Sequence, residues 1–337
     1  MKSTVLQREV AMSLKPVPLL ELPEANVSNP IRSETHKVAI AVGSGFVKVF
    51  DGMNFYRLRS LVTTHIPVTG AGSERQLRVC LRRTTKDLEF AVGEDLETST
   101  ALQSLKDGLK AEWYTPLTLA VLGQIAPKSA ELFNVSLVCS IPTPNMKPHL
   151  EALRGAHDIK VNGRRLTVNV SGVKPVPEAL GTACFLAKNQ AIAVVDFGYQ
   201  NTTVAGFDPN TRQMIDVQSL KGGVGSLFEA IAERVNTTGE RPSDEEIRLG
   251  VEAGTFELNG YSGVSFKDAY QQVFEPWMKA RIHDAKSKAG HIFGKCPVKV
   301  FAGGGSKLPG VSAVAKAMNI QLCETPQETE VQGIYRL

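Results

Sequence analysis

Lys37-Val38-Ala39-Ile40-Ala41-Val42-Gly43-Ser44-Gly45-Phe46-Val47-Lys48-Val49-Phe50 is the stretch from which the fold is read. Two short apolar runs flank a glycine turn, and Asp51-Gly52 follows as the signal for the next turn. Such runs read as a β-hairpin. The same phrase returns at Ala191-Ile192-Ala193-Val194-Val195, which ends in Asp196-Phe197-Gly198 and resumes over 202–207. The interval is far too long for a solenoid repeat and suits two duplicated domains. A third apolar run at 298–301 passes into Ala302-Gly303-Gly304-Gly305-Ser306. Glycine lets backbone N–H groups come close to a ligand, and a row of such groups makes an anion nest. One such turn is ordinarily just a hairpin. Three, in the order strand–turn–strand twice and then strand–glycines–helix, form a far more specific pattern.

Outward from these turns the remaining elements follow by period. Leu117, Leu119, Ala120, Leu122, Ile125 and Leu132 have helical spacing over 116–133. Residues 134–141 read as a strand stopped by Pro142 and Pro144. Asn162-Gly163 marks a hairpin between 159–161 and 165–168, and Pro177-Glu178 opens a helix through Leu186. Further helices are expected at 226–235, 243–254 and 266–290. Residues 1–35 differ: Pro16, Pro18, Pro23 and Pro30 interrupt any helix there, so a disordered N-terminal tail is expected.

The bulk numbers exclude several function classes. At 337 residues, 42% hydrophobic and 21% charged, the chain is an ordinary globular protein of two domains or three. Its net charge of +4 is dispersed, and the short basic clusters at 82–86 and 164–165 sit beside apolar runs and read as solvated faces. Direct nucleic-acid binding is therefore not expected. Five cysteines without a CxxC pair suit buried thiols in a reducing compartment. No run has the length of a membrane span and no secretory core opens the chain, so a cytoplasmic protein without membrane contact is expected.

At this point the chain resembles the superfamily of actin, the sugar kinases and the heat-shock chaperone ATPases, and within it the bacterial actin-like ATPases of the plasmid-segregation (ParM-like) type. Gly43-Ser44-Gly45-Phe46-Val47-Lys48 is similar to the first phosphate loop, Asp196-Phe197-Gly198-Tyr199-Gln200-Asn201-Thr202 to the second, and 302–310 to the adenosine loop. Val138-Cys139-Ser140-Ile141-Pro142, Val176-Pro177-Glu178-Ala179, Gly222-Gly223-Val224-Gly225-Ser226 and the end Pro326-Gln327…Gly333-Ile334-Tyr335 add to the likeness, which spans about 37–337.

The resemblance implies ATP or ADP with Mg²⁺ as cofactors. Lys48 and the backbone of Gly43 to Gly45 would hold the β- and γ-phosphates, where a point charge on a flexible stem is suited; alone, Lys48 reads equally as a surface lysine. Asp196 would hold Mg²⁺ or its water shell, since an unpaired carboxylate after an apolar strand is otherwise costly; the plainer reading is a turn cap. Glu178 would orient or deprotonate the attacking water, although an acidic residue in a first helical turn is also favoured by the helix dipole. Gly222, Gly223 and Ser226 would contact the nucleotide from the second half, or simply cap a helix. Gly303, Gly304, Gly305 and Ser306 would pass under the adenosine, with Arg241 and Arg248 bordering the adenine. One departure stands out: the family carries Asp two residues before the first glycine, and this chain has Ala41. That leaves open a naturally weak ATPase, a scaffold that binds without hydrolysing, and an engineered substitution.

The expected fold is thus α/β: the actin-like two-domain (duplicated ribonuclease H-like) architecture, with mixed five-stranded sheets and inserted subdomains. Domain I would take 36–188 with an insertion near 53–105, domain II 189–324 with one near 226–275, and 325–337 would return to domain I. The expected function is a nucleotide-switched cytoskeletal ATPase forming a head-to-tail polymer of itself, engaged in plasmid or other DNA segregation through a DNA-binding adaptor. A metabolic kinase of the same fold is the rival; Glu178 in place of a catalytic Asp argues against it.

Overall fold

The computed structural model describes residues 34–64, 76–84, 86–94, 96, 109–235, 241–258 and 263–337. Residues 1–33 of the expected N-terminal tail therefore lie outside the described residues. The first hairpin is β1 (His36–Val42) with β2 (Phe46–Phe50), continued by β3 (Phe55–Arg59). Next come β4 (Val62–Thr63), β5 (Gln76–Leu81), β6 (Leu88–Gly93), helix α1 (Leu109–Ile125), β7 (Leu132–Ile141) and the short α2 (Lys147–Glu151). The hairpin β8 (Gly155–Val161) and β9 (Arg164–Pro177) leads to α3 (Leu180–Leu186). The pattern then restarts with β10 (Ile192–Phe197), β11 (Asn201–Asp208) and β12 (Gln213–Lys221), followed by α4 (Val224–Arg234), α5 (Asp244–Ala253) and α6 (Lys267–Lys295). The last elements are β13 (Val298–Ala302), α7 (Val311–Ala317), β14 (Gln321–Leu322) and α8 (Thr329–Tyr335).

The duplication is explicit in the strand pairing. In the first sheet β3, β2 and β1 are antiparallel neighbours, and β1, β7 and β9 are parallel neighbours. In the second, β12, β11 and β10 are antiparallel and β10, β13 and β14 parallel. Both halves thus share one five-strand plan. The first is continued past β9 by β8, β5, β6 and β4, making nine strands in all. The apolar runs at the centre of each plan are buried on both faces, which is why they lack the alternation of a half-exposed strand. One core packs α1 against the first sheet, and another packs α4, α5 and α6 against the second. A third cluster, including Ala39, Val194, Val300, Val331 and Ile334, places α3 and α8 between the remaining faces. No helix of the described residues is long and apolar enough to cross a membrane.

Three local readings need correction. Strand β9 runs on to Pro177, and the helix begins only at Leu180, because residues 169–177 find a parallel partner in β7 that period alone does not reveal. Strand β12 carries no clear alternation and was not expected; its pairing with β11 makes it a strand. Arg164 is not a solvated face: its guanidinium donates to the carbonyls of Gly123, Ala126 and Pro127 at the end of α1.

Candidate functional site

The ends of β1 and β10 reach one cavity of about 530 Å³, lined by residues of both halves. The first glycine turn lines it with Gly43, Ser44, Gly45 and Phe46. Its carbonyls are pinned from behind: Ser60 Oγ donates to Gly43 O at 2.7 Å, while Ser60 N and Arg59 Nη1 donate to Gly45 O at 3.1 and 2.6 Å. Gly43 N closes the turn on Phe46 O at 2.9 Å. Among the described residues the amides of Ser44 and Gly45 have no acceptor. That is the donor side of a nest awaiting an anion.

The second turn, Gly198-Tyr199-Gln200-Asn201, also lines the cavity. Here the carbonyls of Gly198, Tyr199 and Gln200 accept from the amides of Val224, Gly225 and Gly223 at 2.9, 2.7 and 2.9 Å. Of Gly222, Gly223 and Ser226, only Gly223 braces the second turn directly, and none of the three lines the cavity. Their chemistry is spent locally: Ser226 Oγ donates to Gly223 O, Trp277 Nε1 reaches both, and the Arg281 guanidinium donates to Gly222 O. The two turns are joined directly, Ser44 Oγ donating to Gln200 Oε1 at 2.9 Å.

Of the third motif, Gly304 and Gly305 line the cavity, whereas Gly303 and Ser306 do not. Gly303 has φ +75° and lies so close under Asp196 that a Cβ there would stand 2.2 Å from Asp196 Oδ1. Ser306 is buried, donating to Gly303 O at 2.8 Å. Residues 304–307 form a single 3-10 turn, and the helix starts only at Val311, so no helix N-terminus directly follows the glycines.

Lys48, Asp196 and Glu178 converge on this cavity. Lys48 lies on β2 opposite Ala41 of β1, and its side chain makes no hydrogen bond or ion pair among the described residues. The carboxylate of Asp196, on β10, likewise has no hydrogen bond there. Burial pushes its carboxyl up to about 6, Lys48 opposing and Glu178 adding to the rise. A cleft in which a lysine and a buried carboxylate act on each other electrostatically, with neither side chain hydrogen-bonded, suits a phosphate with its metal. No three His, Cys, Asp or Glu side chains gather to hold an ion among the described residues, but Mg²⁺ is usually held by one or two carboxylates, waters and phosphates.

Glu178 sits in the turn between β9 and α3, not in a helical first turn. Its N–H donates to Ile141 O at 2.9 Å, and Ala179 beyond it takes φ +67°. Its Oε1 accepts from Lys110 Nζ of α1 at 2.7 Å. Sequence reading missed Lys110, Arg59 and Glu330, all of which line the cavity. Glu330 of α8 is buried and accepts from Ser140 Oγ, Thr182 N and Thr182 Oγ1 at 2.9, 2.8 and 3.1 Å. Burial first, and Asp196 next, raise its carboxyl to about 7 against those hydrogen bonds. Glu330 stands among Glu328, Thr329, Val331 and Gln332, so the sequence carries no local signal for its burial. Arg248 lines the cavity, while Arg241 is exposed and off it, donating to Glu229 O at 3.4 Å.

Residues 39–181 match the sequence family described as actin-like proteins, N-terminal domain. No curated protein matches the chain. Among solved structures it is similar to apo ParM of psk41 at 17% identity and TM-score 0.62, covering 90% of this chain and 97% of that one. Ta0583, an archaeal actin homologue solved with ADP, aligns at 17% identity and TM-score 0.70, covering 90% and 98%. The 15-stranded ParM filament from Clostridium botulinum aligns with the same four values. At such identities the likeness is one of fold.

Proposed function

We propose, from the premise that the chain is an actin-like protein with the ParM fold, that its cleft binds ATP or ADP with Mg²⁺ and that the nucleotide governs assembly into a filament. The observation that carries this reading is the meeting of three glycine motifs, Lys48, Asp196 and Glu178 on one cavity. The turns at 43–46 and 198–201, with Lys48, would hold the β- and γ-phosphates, and Gly304 and Gly305 would pass beneath the adenosine. Asp196 would hold Mg²⁺ through its waters, the ion supplying charge neutralisation at the phosphates. Glu178, steadied by Ile141 O and Lys110, would orient the attacking water.

The two lobes of this reading are 36–188 with 325–337, and 189–324. A nucleotide touching both biases their relation, and with it the fit of a head-to-tail interface that does not close. Segregation of plasmid or other DNA through an adaptor, in the cytoplasm and without direct DNA contact, is the task that the family resemblance favours. Sedimentation and negative-stain microscopy in ATP–Mg²⁺ and in ADP test the proposal. Polymer that pellets in ATP and recedes in ADP is expected; absence of both polymer and nucleotide binding overturns it.

A non-hydrolysing scaffold is the second reading. Ala41 lines the cavity where the family carries Asp, and Glu178 is engaged by Lys110. Polymer without phosphate release would select it.

A further inference from the structure

The cleft is also crossed by a buried charge cluster. Arg59 is the last residue of β3, and Glu245 and Arg248 lie on α5 of the other half, 186 and 189 positions away. Arg59 Nη2 donates to Glu245 Oε2 at 2.5 Å and Nε to Oε1 at 3.4 Å. Arg248 approaches the same carboxylate from its own helix, Nε to Oε2 at 2.9 Å and Nη2 to Oε1 at 2.5 Å. Glu252 backs Arg248 in turn. Arg59 is 1% exposed, so its charge has left water and depends on these partners.

Arg59 holds a second group as well. Its Nη1 donates to Gly45 O of the first glycine turn at 2.6 Å, and its guanidinium lies 5.0 Å from the Phe46 ring and 5.5 Å from the ring of Tyr199. A Cβ on Gly45 would meet Arg59 Nη1 at 3.2 Å and Tyr199 Cβ at 3.4 Å. One side chain therefore grips the turn of its own half and a carboxylate of the opposite half together.

We infer that Arg59 is a positioning residue: through Glu245 it couples the shape of the first glycine turn to closure of the two halves, forming a reversible latch. The sharing of Glu245 makes it reversible. When the halves part, Glu245 keeps Arg248, and Arg59 loses its anchor in the opposite half as water re-enters around its charge, so its hold on Gly45 O loosens. No carboxylate is left buried and bare, which is the costly outcome for an ordinary buried pair. The four charges of Arg59, Glu245, Arg248 and Glu252 also balance. The latch is built from protein contacts alone and operates whether or not the cleft takes a nucleotide.

The test places the change in one half and reads the other. Hydrogen exchange of the nucleotide-free protein is followed for peptides covering 43–50 and α5, in wild type, Glu245→Gln, Arg59→Met and the double variant. Each single change is expected to raise exchange at 43–50 by at least about fivefold. The α5 amides stay protected in Glu245→Gln, because the Ser243–Glu246 capping box is untouched. The double variant should go no further than the larger single one, since both break the same link. Unchanged exchange at 43–50 in Glu245→Gln, fully additive increments in the double variant, or a uniform rise over both halves each overturn the latch. Should Glu245→Gln fail to fold, Glu245→Asp, which keeps the charge on a shorter stem, carries the same readout with a smaller rise expected.

Discussion

Ala41 and Asp196 stand at matching places, each two residues before the first glycine of its turn, and both line the cavity. Ala41 is opposite Lys48 and beside Ser140 in the sheet, so a carboxylate there would lie beside a lysine whose side chain now makes no hydrogen bond or ion pair among the described residues. Under the nucleotide reading, Ala41→Asp should raise Mg²⁺-dependent phosphate release by about 10–100-fold, the range for an added group that orders a metal's outer shell. Unchanged turnover would sink this placement of the metal. Glu178→Ala should slow release by about 10²–10⁴-fold while sparing affinity for ATP, because the side chain acts on water and not on the nucleotide. Titration of ATP binding alongside phosphate release separates the two effects. Glu330 makes a stability prediction that needs no ligand. Its carboxyl is raised from 4.5 to about 7 by burial, so the folded state holds a proton that the unfolded chain has released. The stability this contributes is complete below pH 4.5 and is lost as pH rises through 7. Glu330→Gln, neutral throughout, should gain on wild type across that window by up to about 3 kcal/mol. Parallel melting curves of the two proteins between pH 5 and 8 would refute the assignment.

At the scale of elements, α3 and α8 cross at Gly181 and Gly333. A Cβ on Gly333 would stand 1.8 Å from Gly181 O, and one on Gly181 would stand 2.3 Å from Glu330 O. These are backbone atoms, which cannot swing aside as a side-chain end can. Gly333→Ala should therefore force the helices apart and cost about 1–3 kcal/mol or more by overpacking. Urea denaturation showing a change under about 0.5 kcal/mol, the level of a neutral surface substitution, would mean that the helices separate freely. The same crossing brings Glu330 to Thr182 and Ser140, so α8 also contributes a side chain to the wall of the cavity.

At the scale of the molecule, α8 lies last in the chain and packs on α3, β1, β2 and β7, elements that lie 140 or more positions earlier. Val331 and Ile334 are fully buried there. Burying two such side chains is worth about 3–6 kcal/mol, a large share of the roughly 5–15 kcal/mol that holds a domain folded. A chain ending at Pro326 should be insoluble or melt more than about 10 °C lower. A melting temperature within a few degrees of the full chain would show that α8 is an accessory.

The sequence by itself determined the duplicated strand–turn–strand units and the glycine motifs, whereas the meeting of Lys48, Glu178 and Asp196 was expected only through the family resemblance. The strand–turn units depend on local period and on residues beside strand ends, where neighbours along the chain decide the backbone. Only the tertiary structure decided which glycines face the cavity. Gly43 to Gly45 and Gly222 to Ser226 look alike as text, yet in the second group the amides of Gly223, Val224 and Gly225 are spent on the carbonyls of the 198–200 turn. It also decided the partners of Arg59, Lys110 and Glu330, which come from 186, 68 and 148 or more positions away. A one-chain reading has no period that links such distant positions; the sheet register and the packing of the two halves do.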